Sequence, residues 1–432
     1  MRILRNASAS TMNVELINTG TELMLGRVLN THQQWLCRRL ADAGYVVSRQ
    51  VAVPDTGVDI QTTVREALTR ADLIITTGGL GPTSDDITRD LIANLLQRSL
   101  KENADVLAQI SQFFAIRNRR MPTRTRLQAM VPEGAVVLPN PNGTAPGLAI
   151  EVAPNPFRPG GGRSLIIMLP GPPRELHPMF MEAVLPLLRK NLPAETFVCH
   201  TLRSTGIGES VVEEMVSTPL NSLVQKGIEI GYCARPGQVD VRLTARGAGA
   251  ESLVSEAATV VRRLLGASCY GEDDEELEFT IVRLLRDSGQ TVAVAESCTG
   301  GLVAHKLTNV PGASAVFNAG VVSYSNQAKI GFLGVPQEIL VTNGAVSEVV
   351  AGLMAEGIRA RTDSTFGLGI TGIAGPSGGT PEKPVGTVFI GLSTASRTVV
   401  AKQFNPLDRE SFKQLTSQQA MEMLRQAVLK AC

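Results

Sequence analysis

A short apolar run, Val292–Ala295, leads into a turn of small residues that contains Ser297. The run predicts a buried strand, and the residues after Gly300 and Gly301 have the spacing of a helix. Free N–H groups at the start of such a helix suit a phosphate, or the oxyanion that forms when a nucleophile attacks a carbonyl. Ser297 is therefore a candidate nucleophile. The alternative is that Ser297 or Thr299 only caps the helix.

A serine nucleophile needs a base, and a lysine is the candidate here. The one histidine after residue 277, His305, lies more than two helical turns beyond Ser297 and cannot reach its hydroxyl. Lysine is the known alternative base, and Lys329 follows another predicted strand in the segment SYSNQAK. The alternative for Lys329 is a solvated surface charge. Cys298 is a rival nucleophile, but no histidine is placed to activate its thiol.

Two more glycine-rich turns follow predicted strands in the same region. They are Ile370–Pro376 (ITGIAGP) and Lys383–Thr387 (KPVGT). Each could be an ordinary turn. Four strand-end loops rich in Ser, Thr, Gly and Lys within one small domain favour a shared anion-binding pocket over four unrelated turns.

Two glycine-bearing loops follow predicted strands near the other end of the chain. They are Gly20–Gly26 (GTELMLG) and Thr77–Asp86 (TGGLGPTSDD), and the second opens a helix. Such glycines let the backbone approach a phosphate, and Asp85 and Asp86 could hold a divalent cation that bridges it. The alternative is that Asp85 caps the helix while Asp86 complements its dipole. The candidate ligand-binding residues of these loops are Gly20, Glu22, Gly78, Gly79 and Gly81.

The elements that must position these residues alternate between apolar strands and amphipathic helices in two parts of the chain, 12–192 and 271–432. Such alternation predicts a doubly wound, largely parallel sheet. Residues 193–270 mix strands and helices as a small α+β unit. The predicted fold class is therefore α/β, with two doubly wound α/β domains joined by a small α+β domain. The predicted elements include strands at 14–18, 72–77, 164–169, 291–295, 316–324 and 365–370, and helices at 174–190, 209–215, 277–285, 300–308, 347–360 and 409–429.

Composition limits the class of protein. The 432 residues carry 41 basic and 40 acidic side chains, a net charge of +1, which argues against direct binding of nucleic acid. No apolar run reaches the roughly 18–20 residues that cross a membrane, and Met1–Thr11 has no apolar segment of a secretory signal. The six cysteines are scattered without a CxxC pair, so neither a disulfide scaffold nor a zinc site is expected. A reduced, cytoplasmic protein is the expectation.

The motifs after residue 275 together resemble a known family. AESCTGG, SYSNQAK, GAVSE, TGIAGP and EKPVGTV resemble the signature of the C-terminal domain of the CinA family, over essentially all of 275–432. That domain is similar to PncC, which hydrolyses the carboxamide of nicotinamide mononucleotide to nicotinate mononucleotide and ammonia. The resemblance implies Ser297 as nucleophile, Lys329 as base with Tyr324 nearby, and Arg409 as a contact of the phosphate. The candidate substrate-binding residues are Glu296, Thr299, Gly300, Gly301, Thr371, Gly372, Thr387 and Arg409.

The motifs of the first domain carry a second part of the resemblance. TGGLGPTSDD, NPNGTAPG and LPGPP resemble the molybdopterin-binding, MoaB-like domain at the start of CinA proteins, and Ser204–Ser210 (STGIGES) resembles their KH-like middle domain. The resemblance implies metal-dependent ADP-ribose pyrophosphatase activity in the first domain, with a divalent cation such as Mg²⁺ at Asp85 and Asp86. It implies no cofactor for the amidohydrolase.

The expected protein is thus a nicotinamide-nucleotide amidohydrolase of pyridine-nucleotide salvage, with a pyrophosphatase at its other end. One alternative keeps the first domain as a pterin- or nucleotide-binding module without catalysis. Another is a partner protein of competence or the DNA-damage response. The expected partners are small nucleotides, namely nicotinamide mononucleotide and ADP-ribose, with no direct nucleic acid and no membrane. A homodimer is expected.

Overall fold

The structure, a computed structural model, describes residues 12–431. Within this range the chain folds as two units. One runs to Phe197 and also takes in Arg246–Ala248, and the other holds Val198–Ala245 and the chain from Gly249 onward. Met1–Thr11, for which no secretory signal is expected, lies outside the described residues. None of the helices in 12–431 is long and apolar enough to span a membrane.

The first unit is built on a mixed sheet. Its strands are β1 (Val14–Thr19), β2 (Val47–Val53), β3 (Leu73–Thr77), β4 (Leu100–Glu102), β5 (Met130–Pro132), β6 (Val136–Leu138), β7 (Gly147–Val152) and β8 (Ser164–Leu169). Six of them form one sheet in the order β2-β1-β3-β8-β7-β6. Strands β2, β1, β3 and β8 are parallel, β7 is antiparallel to β8, and β6 is antiparallel to β7. Strands β4 and β5 pair separately.

Helices cover both faces of this sheet. Because successive strand residues point to opposite faces, Ile17 of β1 packs in one apolar cluster with Val64, while Leu16 packs in another with Leu36. This is the doubly wound arrangement that the alternation predicts. The helices are α1 (Thr21–Met24), α2 (Thr31–Asp42), α3 (Gly57–Leu68), α4 (Thr88–Leu95), α5 (Ala104–Ile116), α6 (Pro173–Met179) and α7 (Leu185–Asn191).

The predicted helix 174–190 is three successive helical pieces in the structure. Helix α6 passes into a π-helical turn at Phe180–Val184, which continues as α7. Pro178 lies inside α6, and α7 has a proline, Pro186, in its first turn. A proline has no N–H to donate and crowds the preceding turn, which accounts for the irregular ladder.

The second unit begins with the small α+β domain. Its sheet has the order β10-β11-β9-β12. Helix α8 extends well beyond the predicted 209–215 and passes through Pro219, because its apolar residues, among them Val212 and Val216, continue to pack in one buried cluster. The elements are β9 (Phe197–Thr205), α8 (Glu209–Gln225), β10 (Glu229–Arg235), β11 (Gln238–Arg246), α9 (Ala250–Leu265) and β12 (Cys269–Glu272).

The last part of the chain forms the second doubly wound domain. Its strands are β13 (Val292–Glu296), β14 (Phe317–Val322), β15 (Phe366–Gly372), β16 (Thr387–Ser393) and β17 (Thr398–Phe404). They lie in the order β14-β13-β15-β16-β17. Strands β14, β13 and β15 are parallel, β16 is antiparallel to β15, and β17 is antiparallel to β16. Val294 and Ala293 of β13 enter apolar clusters on opposite faces.

Six helices complete this domain, and two of them are absent from the sequence prediction. The unpredicted helices, α12 and α13, have eight and seven residues, which is too short for helical periodicity to stand out. Helix α12 starts after Ser325, whose hydroxyl accepts a hydrogen bond from Ala328 N at 3.1 Å. The helices are α10 (Leu277–Asp287), α11 (Leu302–Thr308), α12 (Asn326–Leu333), α13 (Gln337–Asn343), α14 (Glu348–Thr362) and α15 (Arg409–Ala431).

Candidate active site

Three parallel strands end at one edge of the C-terminal sheet. Strand β13 lies between β14 and β15, and hydrogen bonds join the residues just past the strand ends. Ser297 N donates to Ile370 O at 2.9 Å, and Ser323 N donates to Glu296 O at 2.8 Å. Ligands of open α/β sheets bind at this carboxyl edge. The backbone therefore sets Ser297 beside the residues that follow both neighbouring strands.

Lys329 of α12 lies next to Ser297. Its Nζ is 3.1 Å from Ser297 Oγ and 2.7 Å from the carbonyl oxygen of Ser323. The lysine side chain is 1% exposed, and desolvation by this burial lowers the pKa of its amine. A lowered pKa increases the neutral fraction, which has a lone pair for the serine proton while an N–H bonds to Ser323. The pair has the geometry of a nucleophile and its base.

Cys298 lies beside Ser297 in the chain but occupies a different environment. Its side chain is buried in the apolar cluster that also contains Val294 and Leu368. This burial raises the pKa of the thiol to about 12. Since the thiolate is the reactive form of cysteine, Cys298 is not activated as a nucleophile.

Glu296 is buried beneath the turn and binds the start of α11. Its carboxylate accepts hydrogen bonds from the backbone N–H groups of Gly301 (3.0 Å), Val303 (3.2 Å) and Ala304 (2.9 Å). These are N–H groups that a helix start leaves without an intrahelical acceptor. The helix N–H groups are therefore occupied by Glu296.

Two backbone N–H groups of the turn have no backbone carbonyl as their acceptor. In residues 12–431, the N–H groups of Cys298 and Thr299 lie against the Cys298 sulfur, a weak acceptor, whereas Gly300 N donates to Ser297 O at 3.1 Å. The side-chain Oγ1 of Thr299 is also buried without a hydrogen-bond partner in that range. The N–H groups of Cys298 and Thr299 are thus the candidate donors to an oxyanion formed next to Ser297.

A pocket of about 230 Å³ opens over this edge of the sheet. It brings together six of the residues predicted for the site: Ser297, Lys329, Tyr324, Thr371, Gly372 and Arg409. Five others lie outside the lining: Glu296, Thr299, Gly300, Gly301 and Thr387. The remaining lining residues are Cys298, Ala345, Val346 and Ala374.

Tyr324 and Arg409 lie at the rim of the pocket. Arg409 donates from Nη2 to Tyr324 Oη at 2.7 Å and from Nη1 to Gly375 O at 2.6 Å. Tyr324 is 61% exposed, and the partner of its hydroxyl is the Arg409 guanidinium. Arg409 places a permanent positive charge at this rim.

One wall of the pocket comes from a segment that no chemical motif marks. Residues 343–346, here called the pocket wall, join α13 to α14, and Ala345 and Val346 line the cavity. Thr371 Oγ1 donates to Ala345 O at 2.8 Å. In the sequence this wall is part of the motif GAVSE, residues 344–348. The one acid–base residue of that motif is Glu348, which lies beyond the wall.

A larger cleft in the same unit, of about 700 Å³, lacks comparable chemistry. It is lined by residues of the α+β domain, such as Thr205, and by polar residues of α15. Two of these polar residues are paired with neighbours: Gln419 bonds to Asn405 in both directions, and Glu422 accepts from Arg425. The smaller pocket, with Ser297 and Lys329, is therefore the candidate active site.

The candidate residues of the first unit lie at strand ends of its sheet. Gly20 follows β1, and Gly78 and Gly79 follow β3 with φ of +95° and +67°. A Cβ on Gly79 would lie 2.0 Å from Thr88 Oγ1, so only glycine fits there. Glu22 is exposed on α1. Backbone turns of this kind are common anion-binding sites.

The two acidic residues of this loop do not form a metal centre with other acids. Asp86 Oδ2 accepts hydrogen bonds from Thr83 N at 2.9 Å and from the Thr83 hydroxyl, and lies close to Gly81. Asp85 is exposed, and a hydrogen bond from Thr83 lowers the pKa of its carboxyl. Nowhere in 12–431 do three or more His, Cys, Asp or Glu side chains group as metal ligands. A cation held by two carboxylates together with a substrate phosphate needs no such group, so the divalent cation expected at Asp85 and Asp86 stays a prediction.

Known protein families match three successive segments of the chain. The family models that match are "CinA C-terminal domain" over residues 274–428, "Damage-inducible protein CinA KH domain" over 199–271 and "Probable molybdopterin binding domain" over 15–190. A CinA-like protein of Akkermansia muciniphila is 42% identical over 417 residues, which cover 96% of this chain and 97% of that protein. The chain belongs to the CinA family.

Further relatives have the same family name. A CinA-like protein of Kosmotoga olearia is 42% identical over 421 residues, covering 97% of this chain and 99% of that protein. The crystal structure of competence/damage inducible protein CihA from Agrobacterium tumefaciens is 40% identical, with a TM-score of 0.34, and covers 35% of this chain and 93% of that one. The predicted CinA order of a MoaB-like, a KH-like and a CinA C-terminal domain is confirmed.

The burial of Cys298 should slow the reaction of its thiol with alkylating reagents. At pH 8, iodoacetamide should modify the exposed Cys233 at least about tenfold faster than Cys298, because the Cys298 thiol is buried and its pKa is raised to about 12. Peptide mass spectrometry over a time course measures both rates. In denaturant the two cysteines should react alike. Equal rates in the native protein would contradict the environment assigned to Cys298.

Proposed function

We propose that the C-terminal domain hydrolyses the carboxamide of nicotinamide mononucleotide, releasing nicotinate mononucleotide and ammonia. The observation that carries the proposal is the contact between Ser297 Oγ and the buried Lys329 Nζ at 3.1 Å. A serine beside a desolvated amine is a known arrangement for acyl transfer. It needs no metal or organic cofactor.

The first half of the reaction forms an acyl-enzyme. Neutral Lys329 takes the proton of Ser297, and Oγ forms a bond to the amide carbon. The negative charge that develops on the amide oxygen is stabilised by the N–H groups of Cys298 and Thr299, for which this oxygen is a stronger acceptor than the Cys298 sulfur. The Lys329 ammonium then protonates the amide nitrogen, the C–N bond breaks, and ammonia leaves.

The second half restores the enzyme. Water enters where ammonia departed, and neutral Lys329 takes its proton as the hydroxide oxygen bonds to the acyl carbon. The ester bond to Ser297 breaks, and Lys329 returns the proton to Oγ. The product is a carboxylic acid, which ionises in water, and no proton or electron is left unaccounted for.

The nucleotide part of the substrate suits the rim. Arg409 carries a positive charge at the pocket mouth. Among the described residues, no carboxylate forms an ion pair with it. A phosphate is a natural partner of such a guanidinium, which has N–H donors beyond the two that bond to Gly375 and Tyr324. A cavity of about 230 Å³ then takes the aromatic amide.

Substitutions within the pair should separate chemistry from folding. Ser297→Ala should lower kcat on the order of 10³-fold or more, because the covalent route is lost, and Lys329→Met should be nearly as damaging, since members of one catalytic unit are not additive. Cys298→Ala should retain most of the activity. Ammonia release from nicotinamide mononucleotide by the full chain measures all three.

Thermal melting serves as the control for these variants. Lys329→Met removes a buried amine, so its melting temperature should be unchanged or higher. An active Ser297→Ala protein together with a folded but inactive Cys298→Ala protein would show that the nucleophile is the thiol.

The pH dependence of the reaction should report Lys329. Below the pKa of Lys329 its amine is protonated and cannot accept the serine proton, so kcat/KM should fall about tenfold per pH unit on the acid side. Because burial lowers this pKa, the midpoint should lie below the ordinary lysine value of 10.5. Initial rates across pH 5–11 measure it. A rate that is independent of pH, or that falls as pH rises over this range, would rule out a neutral lysine base.

For the N-terminal domain we propose binding of a nucleotide or pterin without catalysis. The glycine turn at Gly78 and Gly79 supports ligand binding, as does its place at the strand ends. Pyrophosphatase activity would need a cation, and Asp86 is already engaged by Thr83. Asp85 alone is a single exposed carboxylate. These observations favour the non-catalytic alternative.

The proposal for this domain predicts binding that survives chelation. ADP-ribose should bind the full chain in the presence of EDTA, and adding Mg²⁺ should not lead to its hydrolysis. Calorimetry and chromatography measure the two. Mg²⁺-dependent release of AMP that disappears in Asp85→Asn would establish the pyrophosphatase instead, and failure to bind either ADP-ribose or a pterin would remove the binding role.

A further inference from the structure

Lys383 is a half-buried lysine that the proposed chemistry does not use. It lies in the loop between β15 and β16, and its Nζ donates to Asn343 O at 2.8 Å and to Val346 O at 2.7 Å. Within residues 12–431 no carboxylate forms an ion pair with it. Its ammonium has no carboxylate partner and is only partly solvated, so it donates its hydrogen bonds to these two carbonyls. Bonds from a charged donor are stronger than those between neutral groups.

Both acceptors belong to the pocket wall, residues 343–346. All four carbonyls of this wall are held by side chains: Asn343 and Val346 by Lys383, Gly344 by the Ser347 hydroxyl at 3.1 Å, and Ala345 by Thr371 at 2.8 Å. Asn343 is the last residue of α13, and residues 344–346 are neither helix nor strand. Its shape therefore depends on side chains, and Lys383 supplies two of the four bonds.

The wall faces the reacting groups. Ala345 and Val346 line the same pocket as Ser297 and Lys329. Lys383 itself is not part of the lining, so it acts on the pocket only through the wall. The same β15–β16 loop is also joined to the rim, since Arg409 donates to Gly375 O at 2.6 Å. The loop thus connects the rim and the wall.

We infer that Lys383 is a positioning residue of the amidohydrolase, which fixes the pocket wall so that the substrate amide meets Ser297 in a reactive orientation. This inference rests on the proposed function of the domain. Since small displacements of a bound substrate can cost on the order of 10²-fold in rate, loss of Lys383 should lower kcat while the Ser297–Lys329 pair stays intact.

The test compares Lys383→Met with Lys402→Met in the full chain. Lys402 is an exposed lysine of β17 in the same domain and is the matched control. Lys383→Met should lower kcat for nicotinamide mononucleotide by roughly 10- to 100-fold, Lys383→Arg should recover part of the loss, and Lys402→Met should match the wild type. The rate at which a small sulfonyl fluoride modifies Ser297 should be the same in all four proteins.

Hydrogen exchange gives a readout that does not depend on activity. Peptides covering 343–347 should exchange faster in Lys383→Met than in the wild type, and the Lys402→Met peptides should not change. A Lys383→Met protein with normal kcat and normal exchange overturns the inference, as does one in which Ser297 labelling slows in step with kcat. If the wild type itself releases no ammonia, the proposed function fails first, and the positioning role fails with it.

Discussion

The candidate site depends on the burial of one amine. Lys329 is 1% exposed, and among the described residues it contacts a hydroxyl and a carbonyl but no carboxylate. Holding an unpaired ammonium there is costly, so the environment favours the neutral amine. The neutral amine is the form that can accept a proton from Ser297. A carboxylate in the same place would stabilise the charge and raise the pKa, and the lysine would lose its use as a base.

The rest of the domain maintains this environment. The ends of β13, β14 and β15 bring Ser297, Ser323 and Thr371 to one edge, because parallel strands end together. Glu296 precedes Ser297 directly in the sequence, but its carboxylate accepts hydrogen bonds from three backbone N–H groups at the start of α11. That arrangement stabilises the turn and keeps the acid out of the pocket.

The sequence predicts the parts of the site that local patterns encode. Apolar runs and glycine turns predict β13, β15 and the turn at Ser297, and the structure brings Ser297, Lys329 and Thr371 into one pocket. Short helices α12 and α13 have no clear periodicity, and the pocket wall is shaped by side chains from distant parts of the chain. The capping role of Glu296 has a local signal in the sequence, because a carboxylate lies just before a helix start. A glutamate at this position can, however, either cap the helix or bind substrate, and the residue type alone does not distinguish the two roles.

The proposed mechanism requires that Ser297 becomes acylated during amide hydrolysis. The most direct measurement is to mix the full chain with nicotinamide mononucleotide, quench with acid during turnover, and map the covalent adduct by mass spectrometry of the digested protein. A serine nucleophile predicts a nicotinoyl-nucleotide ester on Ser297, absent in Ser297→Ala. An adduct on Cys298, or turnover in which hydroxylamine captures no acyl group and no residue is modified, would contradict it.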